Sequence, residues 1–197
     1  MDVLERLYQY HQPLSEVTRE QGTSRVLLSP LTPILALNAA YGASDLLPAP
    51  KLVLSQKPVS GLRLVQAIQV GHFQQQTSEP AHLVEQVSWL QTRTFAKVLC
   101  HAWGMPTWEE LVSQHLSMKL QEHREYVPLL SYQEGQPTGC ALLKENQVHL
   151  WGVSQKNALT DLLNYAAQFS GQKIETTLTA GFDVPLQDQV LLGYWLA

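Results

Sequence analysis

The sequence predicts an α/β fold in which strands joined by tight turns alternate with helices. Three short apolar runs in the C-terminal third are separated by the turn-like segments QEGQPT and ENQ, a pattern typical of hairpin-connected strands. The helix that follows them carries its apolar residues at spacings of three and four, which predicts one buried face. That face consists of Leu159, Leu162, Leu163, Ala166 and Phe169.

Composition sets the broad class of the protein. The 197 residues are 45% hydrophobic and 15% charged, against about 25% charged in an average soluble domain. The net charge is −4 and no basic stripe is present, so we expect no nucleic-acid partner. The N-terminus is polar and no apolar run approaches the roughly 18 residues of a membrane span. We therefore expect a soluble, cytoplasmic protein with one large domain or two small subdomains.

The N-terminal part mixes helix and strand signals. Apolar residues at helical spacing predict a helix over residues 2–11, and SRVLLS predicts a strand over 24–29. Residues 34–42 fit either a strand or a helix. Spacing of apolar residues by three predicts another helix over 61–69.

Two helices are predicted in the middle of the chain by their capping patterns. Ser88 with Gln91 is a capping box that opens a helix to about Ala102, and T-x-x-E at 107–110 opens a second helix to about Glu122. In such a box the first side chain and the fourth each bond a backbone N–H at the start of the helix.

The C-terminal third supplies most of the predicted strands. The final run is nearly all apolar, so we expect it to be covered on both faces. The predicted strands are residues 125–132, 139–144, 148–153, 173–179 and 189–196.

A tripeptide that occurs twice suggests an internal repeat. The tripeptide Ser154-Gln155-Lys156 also occurs at residues 55–57, 99 positions earlier, and the alignment then places Ala67 on Ala166. Two interpretations stay open. The chain is either a pair of related half-units, or it contains short apolar, glutamine-rich segments that align by chance.

The order of these elements resembles the GNAT superfamily of N-acetyltransferases. YVPLLSYQEGQPTGCALLKENQVHLWGV resembles the central hairpin of that family, GVSQKNALTDLLNYAAQ its acetyl-CoA strand-to-helix junction, and TAGFDVP the segment before its last strands. The resemblance covers residues 85–197, and residues 1–84 resemble the partial N-terminal halves of some members. It implies a mixed, largely antiparallel sheet flanked by helices, an N-terminal partial repeat and two domains packed as one unit.

The chain departs from the family at the phosphate-binding turn. Members with activity carry R/Q-x-x-G-x-G/A there, and backbone N–H groups of the loop hold the pyrophosphate. Here Val153 is followed by SQKNALTDLL, which has no glycine and is about four residues shorter than that pattern. Side chains at these positions would hinder the approach of a phosphate. The family also has a helix between its later strands. Only one residue separates Thr179 from Gly181 here, so the sequence leaves no room for that helix.

The junction nevertheless supplies the candidate cofactor site. A helix N-terminus offers N–H groups to an anion, and Lys156 adds a positive charge. The competing interpretation is that Ser154 or Asn157 caps the helix and that Lys156 is solvated. The candidate acetyl-CoA contacts are Val153, Ser154, Gln155, Lys156 and Asn157.

The sequence does not predict a catalytic set. The family often uses a glutamate as base and a tyrosine as acid, but nothing places Glu125, Tyr126 or Tyr194 near a thioester. No two of the seven histidines lie four residues apart, so we expect no metal site, and both cysteines lie in apolar segments typical of buried thiols.

The sequence-based hypothesis is a GNAT-like protein with a degenerate acyl-CoA site that acts as a binding or interaction module. Its partner would be a small molecule or a protein of unknown identity. The alternative is a divergent acyl-CoA-dependent N-acetyltransferase with an unknown amine substrate. The oligomeric state is not predicted.

Overall fold

The structure is a computed structural model that describes residues 1–21, 24–42, 52–77 and 79–197. The chain forms two compact units. The first unit comprises Met1–Gly71, Thr177–Phe182 and Asp188–Ala197, and the second comprises His72–Thr176 and Asp183–Gln187. The domain boundary between residues 84 and 85 stays a prediction.

Groups of strands alternate with one or two helices along the described chain. The helices are α1 (Val3–His11), α2 (Thr92–Ala102), α3 (Glu109–Glu122) and α4 (Lys156–Ser170). The strands are β1 (Val17–Gln21), β2 (Ser24–Leu28), β3 (Ala40–Tyr41), β4 (Leu52–Ser55), β5 (Arg63–Phe73), β6 (Leu83–Gln86), β7 (Tyr126–Gln133), β8 (Gln136–Lys144), β9 (Gln147–Val153), β10 (Ile174–Thr179) and β11 (Leu186–Leu196). No helix of the described ranges is long and apolar enough to cross a membrane.

The first unit is a sheet with one helix packed on it. Its strand order is β1-β2-β3-β4-β11-β5, in which β3 and β4 are parallel and the β1–β2, β2–β3 and β4–β11 pairs are antiparallel. The predicted helix over 2–11 and strand over 24–29 are confirmed, and the ambiguous segment 34–42 contains a short 3₁₀ turn followed by β3. The buried core consists of Val3, Leu7, Tyr8, Leu27, Ala39, Tyr41, Leu52, Leu54, Ile68, Val70, Leu192 and Tyr194.

The predicted helix over 61–69 is wrong, because this segment belongs to β5. The apolar residues of this segment fit a spacing by three, which suggested a helix, and also a spacing by two. The structure follows the spacing by two, with Ile68 and Val70 buried and Ala67 and Gln69 exposed. Branching at Cβ in valine and isoleucine favours the extended chain, so the alternating pattern prevails. Ser55-Gln56-Lys57 therefore precedes a strand, whereas Ser154-Gln155-Lys156 precedes a helix, and the internal repeat stays a prediction.

The second unit has the strand order β10-β9-β8-β7-β6. The four strands from β6 to β9 are antiparallel, and β10 runs parallel to β9. A Cβ on Gly152 would meet Leu99 of α2, and a Cβ on Gly139, whose ladder partner is Val153, would meet Leu162 of α4. Because Gly152 and Val153 are consecutive in a strand, α2 and α4 cover opposite faces of this sheet.

Two predicted capping boxes and the predicted burial of the last strand have different outcomes. The capping box of Ser88 with Gln91 is confirmed. The box at 107–110 is wrong, because a 3₁₀ turn at Pro106–Trp108 contains Thr107 and the N-cap of α3 is Trp108, with no side-chain cap. The expectation that the last strand is covered on both faces is wrong too, since Leu191 of β11 is 63% exposed.

Candidate functional site

The candidate site lies where β9 passes into α4. Val153 ends the strand and is buried, and α4 begins at Lys156, so the connection consists of Ser154 and Gln155 alone. These two residues, together with Lys156 and Asn157, are exposed. The structure therefore keeps the five predicted residues together at one junction of the second unit, with four of them open to solvent.

Both side chains of the connection are tied to the β7–β8 hairpin. The backbone N–H and the hydroxyl of Ser154 donate to the carbonyl oxygen of Thr138 over 2.8 and 3.0 Å. The Nε2 of Gln155 donates to Oε1 of Gln133 over 2.7 Å. This turn is thus short, glycine-free and fixed by three hydrogen bonds.

The N-terminus of α4 has no side-chain cap. Its N-cap residue is Gln155, in an extended conformation, and its side chain does not accept from the helix. The interpretation that Ser154 or Asn157 caps the helix is wrong, because the Ser154 hydroxyl is used on Thr138 and Asn157 lies within the first turn. The N–H of Ala158 donates to the carbonyl oxygen of Gln155 over 3.1 Å. The N–H groups of Lys156 and Asn157, at the start of this turn, can face an anion, and the Lys156 side chain is exposed beside them.

The ladder between β9 and β10 is short. In the described chain, β9 pairs with β10 at Gln147 and Val148 and at no later residue. The β8–β9 register changes at the same place, because Leu142 pairs with Leu150 and Leu143 with Val148, which leaves His149 as a bulge.

The outer edge of β9 carries backbone groups that face away from β8. The N–H of Ser154 bonds Thr138 on β8, and backbone groups in an antiparallel pair alternate between the two sides. The N–H and C=O groups of Trp151 and Val153 therefore point away from β8. One of them is covered: the indole N–H of Trp103, a residue 44% exposed just after α2, donates to the carbonyl oxygen of Trp151 over 2.7 Å.

A buried pair, His82 with Asp161, contacts the turn through Gln155. Asp161 of α4 accepts three hydrogen bonds on Oδ2, from the backbone N–H of Ala81 over 3.2 Å, that of His82 over 3.0 Å, and Nδ1 of His82 over 2.8 Å. The other ring nitrogen of His82, Nε2, lies 3.3 Å from Oε1 of Gln155. The sequence signal for this pair is faint: an aspartate among the apolar positions of a helix, with a partner 79 residues away.

A second buried acid lies where the β9–β10 ladder ends. Glu175 of β10 accepts a hydrogen bond from Nε2 of Gln147 over 3.2 Å. Its two carboxylate oxygens lie 3.4 Å from Nε2 of His149 and 3.7 Å from Nε2 of His72. The side chain of His149 is fully enclosed. No group of three or more His, Cys, Asp or Glu side chains in the described ranges could hold a metal ion.

Within the second unit, the glutamate and the tyrosine that the family resemblance suggested, Glu125 and Tyr126, lie away from the junction. Tyr126 pairs with Lys144, which pairs with Gln147, so Glu125 and Tyr126 lie at the far end of β9, roughly 20 Å from Val153. Tyr194 belongs to the core of the first unit, and burial raises the pKa of its phenol.

The two cysteines are buried and unpaired, as the sequence predicts. Burial, with the Glu109 carboxylate as a smaller cause, raises the pKa of the Cys100 thiol to about 11. Burial also raises the pKa of the Cys140 thiol. Neither thiol is therefore a nucleophile at neutral pH, since the thiolate is the reactive form.

Comparison with known proteins identifies the fold through structure alone. No protein-family model and no curated protein matches the sequence. A functionally unknown conserved protein from Staphylococcus epidermidis has a TM-score of 0.61 and 11% identity over 96% of each chain. A GCN5-related N-acetyltransferase from Kribbella flavida has a TM-score of 0.59 and 12% identity, covering 100% of this chain and 96% of that one.

A third structure matches a part of the chain. It is a conserved protein from Enterococcus faecalis, described as a "Probable N-Acyltransferase", with a TM-score of 0.51 and 14% identity. The match covers 74% of this chain and 44% of that one, so this chain spans less than half of that protein. The fold is GNAT-like: a mixed α/β fold with a mostly antiparallel sheet flanked by helices.

Proposed function

We propose that the protein is a GNAT-fold binding module that takes an acyl-CoA thioester at the β9–α4 junction and does not catalyse acyl transfer. The observation that carries the proposal is the uncapped N-terminus of α4, which follows β9 after a connection of two residues. No glycine-rich loop intervenes, so any ligand contact is made by the helix itself and by the edge of the strand.

The chemistry of coenzyme A suits these two neighbouring features. Its diphosphate is an anion that a helix N-terminus attracts, and Lys156 adds a positive charge beside it. Its pantetheine arm is an extended chain with two amides, which can pair with the outward N–H and C=O groups of Val153 as an added strand would.

We expect the β9–α4 junction to bind acyl-CoA weakly. A helix N-terminus is worth about 0.3–1 kcal/mol to a nearby anion. The side chains of Ser154 and Gln155 are held by Thr138 and Gln133, and the Cβ atoms of the connection keep the phosphates at a distance. Absence of catalysis is proposed because the imidazole of His149 is enclosed and the Glu175 carboxylate beside it is buried, so neither can reach an amine.

The alternative function is a divergent acyl-CoA-dependent N-acyltransferase. One observation favours it: Glu175 and His149 meet at the bulge of β9, and if this segment opened to admit an amine, the carboxylate–imidazole pair could take its proton as the N–C bond forms and the C–S bond breaks. Release of the CoA thiol from acetyl-CoA in the presence of a panel of amines, lost in Glu175→Gln with binding retained, would establish this alternative and overturn the non-catalytic proposal.

Reversal of the charge at Lys156 tests the binding site. In isothermal titration calorimetry, we expect Lys156→Glu to weaken acetyl-CoA binding about tenfold, because an attraction beside the helix N-terminus becomes a repulsion. The matched control is Lys173→Glu, which makes the same change in net charge at an exposed lysine just beyond the other end of α4. The control should bind within about twofold of the wild type. Equal losses in the two variants, or no binding by the wild type at millimolar acetyl-CoA, would contradict the proposal.

A further inference from the structure

A small open pocket lies at the C-terminal end of α4, in the second unit. Its volume is about 280 Å³, and its walls come from the end of α4, the residues just after it and the segment that follows β5. Gly171 ends the helix in the left-handed conformation, with φ at 66°. The pocket lies roughly 20 Å along the helix axis from Lys156, so it is separate from the β9–α4 junction. The polar side chains of its walls are Gln74, Gln75, Gln168, Gln172 and Lys173.

The glutamine amides of this pocket are open to a ligand. Each amide carries one acceptor oxygen and two donor N–H groups in one plane. All four glutamines are exposed. Within the described ranges, the side chains of Gln75, Gln168 and Gln172 have no hydrogen-bond partner. These amides can therefore donate to a ligand and accept from it at the same time.

A chain of hydrogen bonds holds one side of the pocket and removes its charge from play. The Nζ of Lys173 donates to Oε1 of Gln187 over 2.8 Å, and the Nε2 of Gln187 donates to Oε1 of Gln74 over 3.0 Å. The amide oxygen of Gln74 is thus occupied, which leaves its N–H groups for a ligand. Lys173 is the charged residue of the walls, and its ammonium lies near the partial negative charge at the end of α4. The pocket consequently suits a neutral polar ligand better than an ion.

A stacked aromatic pair borders the pocket. The rings of Tyr165 and Phe169, both on α4, have their centroids 6.4 Å apart and their planes at 14°. Tyr165 precedes Gln168 by three residues, so the two side chains are neighbours on the helix surface. Phe169 directly follows Gln168 and is 53% exposed. A flat apolar ring therefore lies open to solvent beside the amides.

We propose that this pocket, together with the Tyr165–Phe169 pair, binds a saccharide of pyranose rings. Sugar hydroxyls donate and accept, as the glutamine amides do, and neighbouring hydroxyls on one ring can engage the oxygen and the N–H of a single amide. A pyranose ring with equatorial hydroxyls has apolar C–H faces, which stack on an exposed aromatic ring. One ring of the sugar occupies the pocket and the next lies on Phe169. The site is independent of the proposed acyl-CoA site and adds a second ligand to it.

The probe for the test is cellobiose, whose two glucose rings have equatorial hydroxyls and no charge. In an NMR titration of the full chain at millimolar cellobiose, we expect saturable shifts of the side-chain amide signals of Gln168 and Gln172. Phe169→Leu keeps an apolar side chain but removes the flat ring, and it should weaken binding about fivefold. Gln168→Ala should also weaken binding about fivefold, because the ligand loses the hydrogen bonds of one amide. Both residues are exposed, so we expect both variants to fold.

Two control variants distinguish sugar binding from a general effect of mutation. Phe169→Trp retains a flat ring and should bind within about twofold of the wild type, as should Gln121→Ala at an exposed glutamine of α3. Unchanged Gln168 and Gln172 signals at millimolar cellobiose would overturn the inference, and so would wild-type affinity in Phe169→Leu. Adenosine, a flat nucleoside that can also stack and pair with amides, serves as the competing probe. Tighter binding of adenosine than of cellobiose at the same amides would overturn the assignment to a saccharide.

Discussion

Gly152→Val is expected to lower the free energy of unfolding of the second unit by about 3 kcal/mol, the upper part of the range for overpacked cores. A Cβ at this position would lie 3.0 Å from Cα of Leu99 and 3.1 Å from Cβ of Ala102. The first of these atoms is backbone of α2 and cannot turn aside as a side chain can. Valine adds two further methyl groups, so α2 has to move away from β9.

Equilibrium unfolding in urea, followed by circular dichroism and tryptophan fluorescence, measures this loss. The control is Ala67→Val, which adds the same two methyl groups at an exposed position of β5 and should change the unfolding free energy by less than about 0.5 kcal/mol. A loss below about 1 kcal/mol in Gly152→Val would mean that α2 does not pack this closely on β9.

His82→Leu is expected to cost about 3 kcal/mol, the upper part of the range for taking a hydrogen-bond donor from a buried acceptor. The Asp161 carboxylate is buried and would keep the backbone N–H groups of Ala81 and His82, but it would lose its side-chain donor. His82→Asn retains an N–H for the carboxylate and should cost less than half as much, since the buried acceptor stays satisfied.

A double-mutant cycle at neutral pH separates the pair from simple packing. The cost of His82→Leu should fall by more than about 1 kcal/mol when Asp161 is already asparagine, because no charge is then left without its partner. Equal costs of His82→Leu in the two backgrounds would show that the pair contributes no coupling energy.

Much of the second unit is predictable because its signals are local. The apolar face of α4, the turns of the hairpins and the capping box at Ser88 each depend on residues within one or two turns of chain, and the structure confirms them with one exception. Phe169, predicted on the buried face of α4, is 53% exposed. The segment 61–69 fails for the same reason. Its residues fit the spacing of a helix and that of a strand. Hydrogen bonds with neighbouring strands, which no local pattern encodes, stabilise the strand.

The position of the strand-to-helix junction is predictable from the sequence, but the contacts around it are not. The resemblance located Val153 to Asn157, yet whether Ser154 caps the helix depends on Thr138, which lies 16 residues earlier in the chain. The His82–Asp161 pair spans 79 residues, and Glu175 meets His149 through strand pairing. The early end of the β9–β10 ladder is likewise a tertiary feature, because the residues of β9 read as one uninterrupted strand.

The central claim is that an acyl-CoA binds at the β9–α4 junction, and an amide-resolved NMR titration of the full chain with acetyl-CoA tests it most directly. The account predicts saturable shifts of the backbone amides of Val153, Lys156 and Asn157. The amides near Lys144, at the far end of β9, should stay unchanged. Unchanged spectra at millimolar acetyl-CoA, or shifts confined to residues away from the junction, would contradict the account.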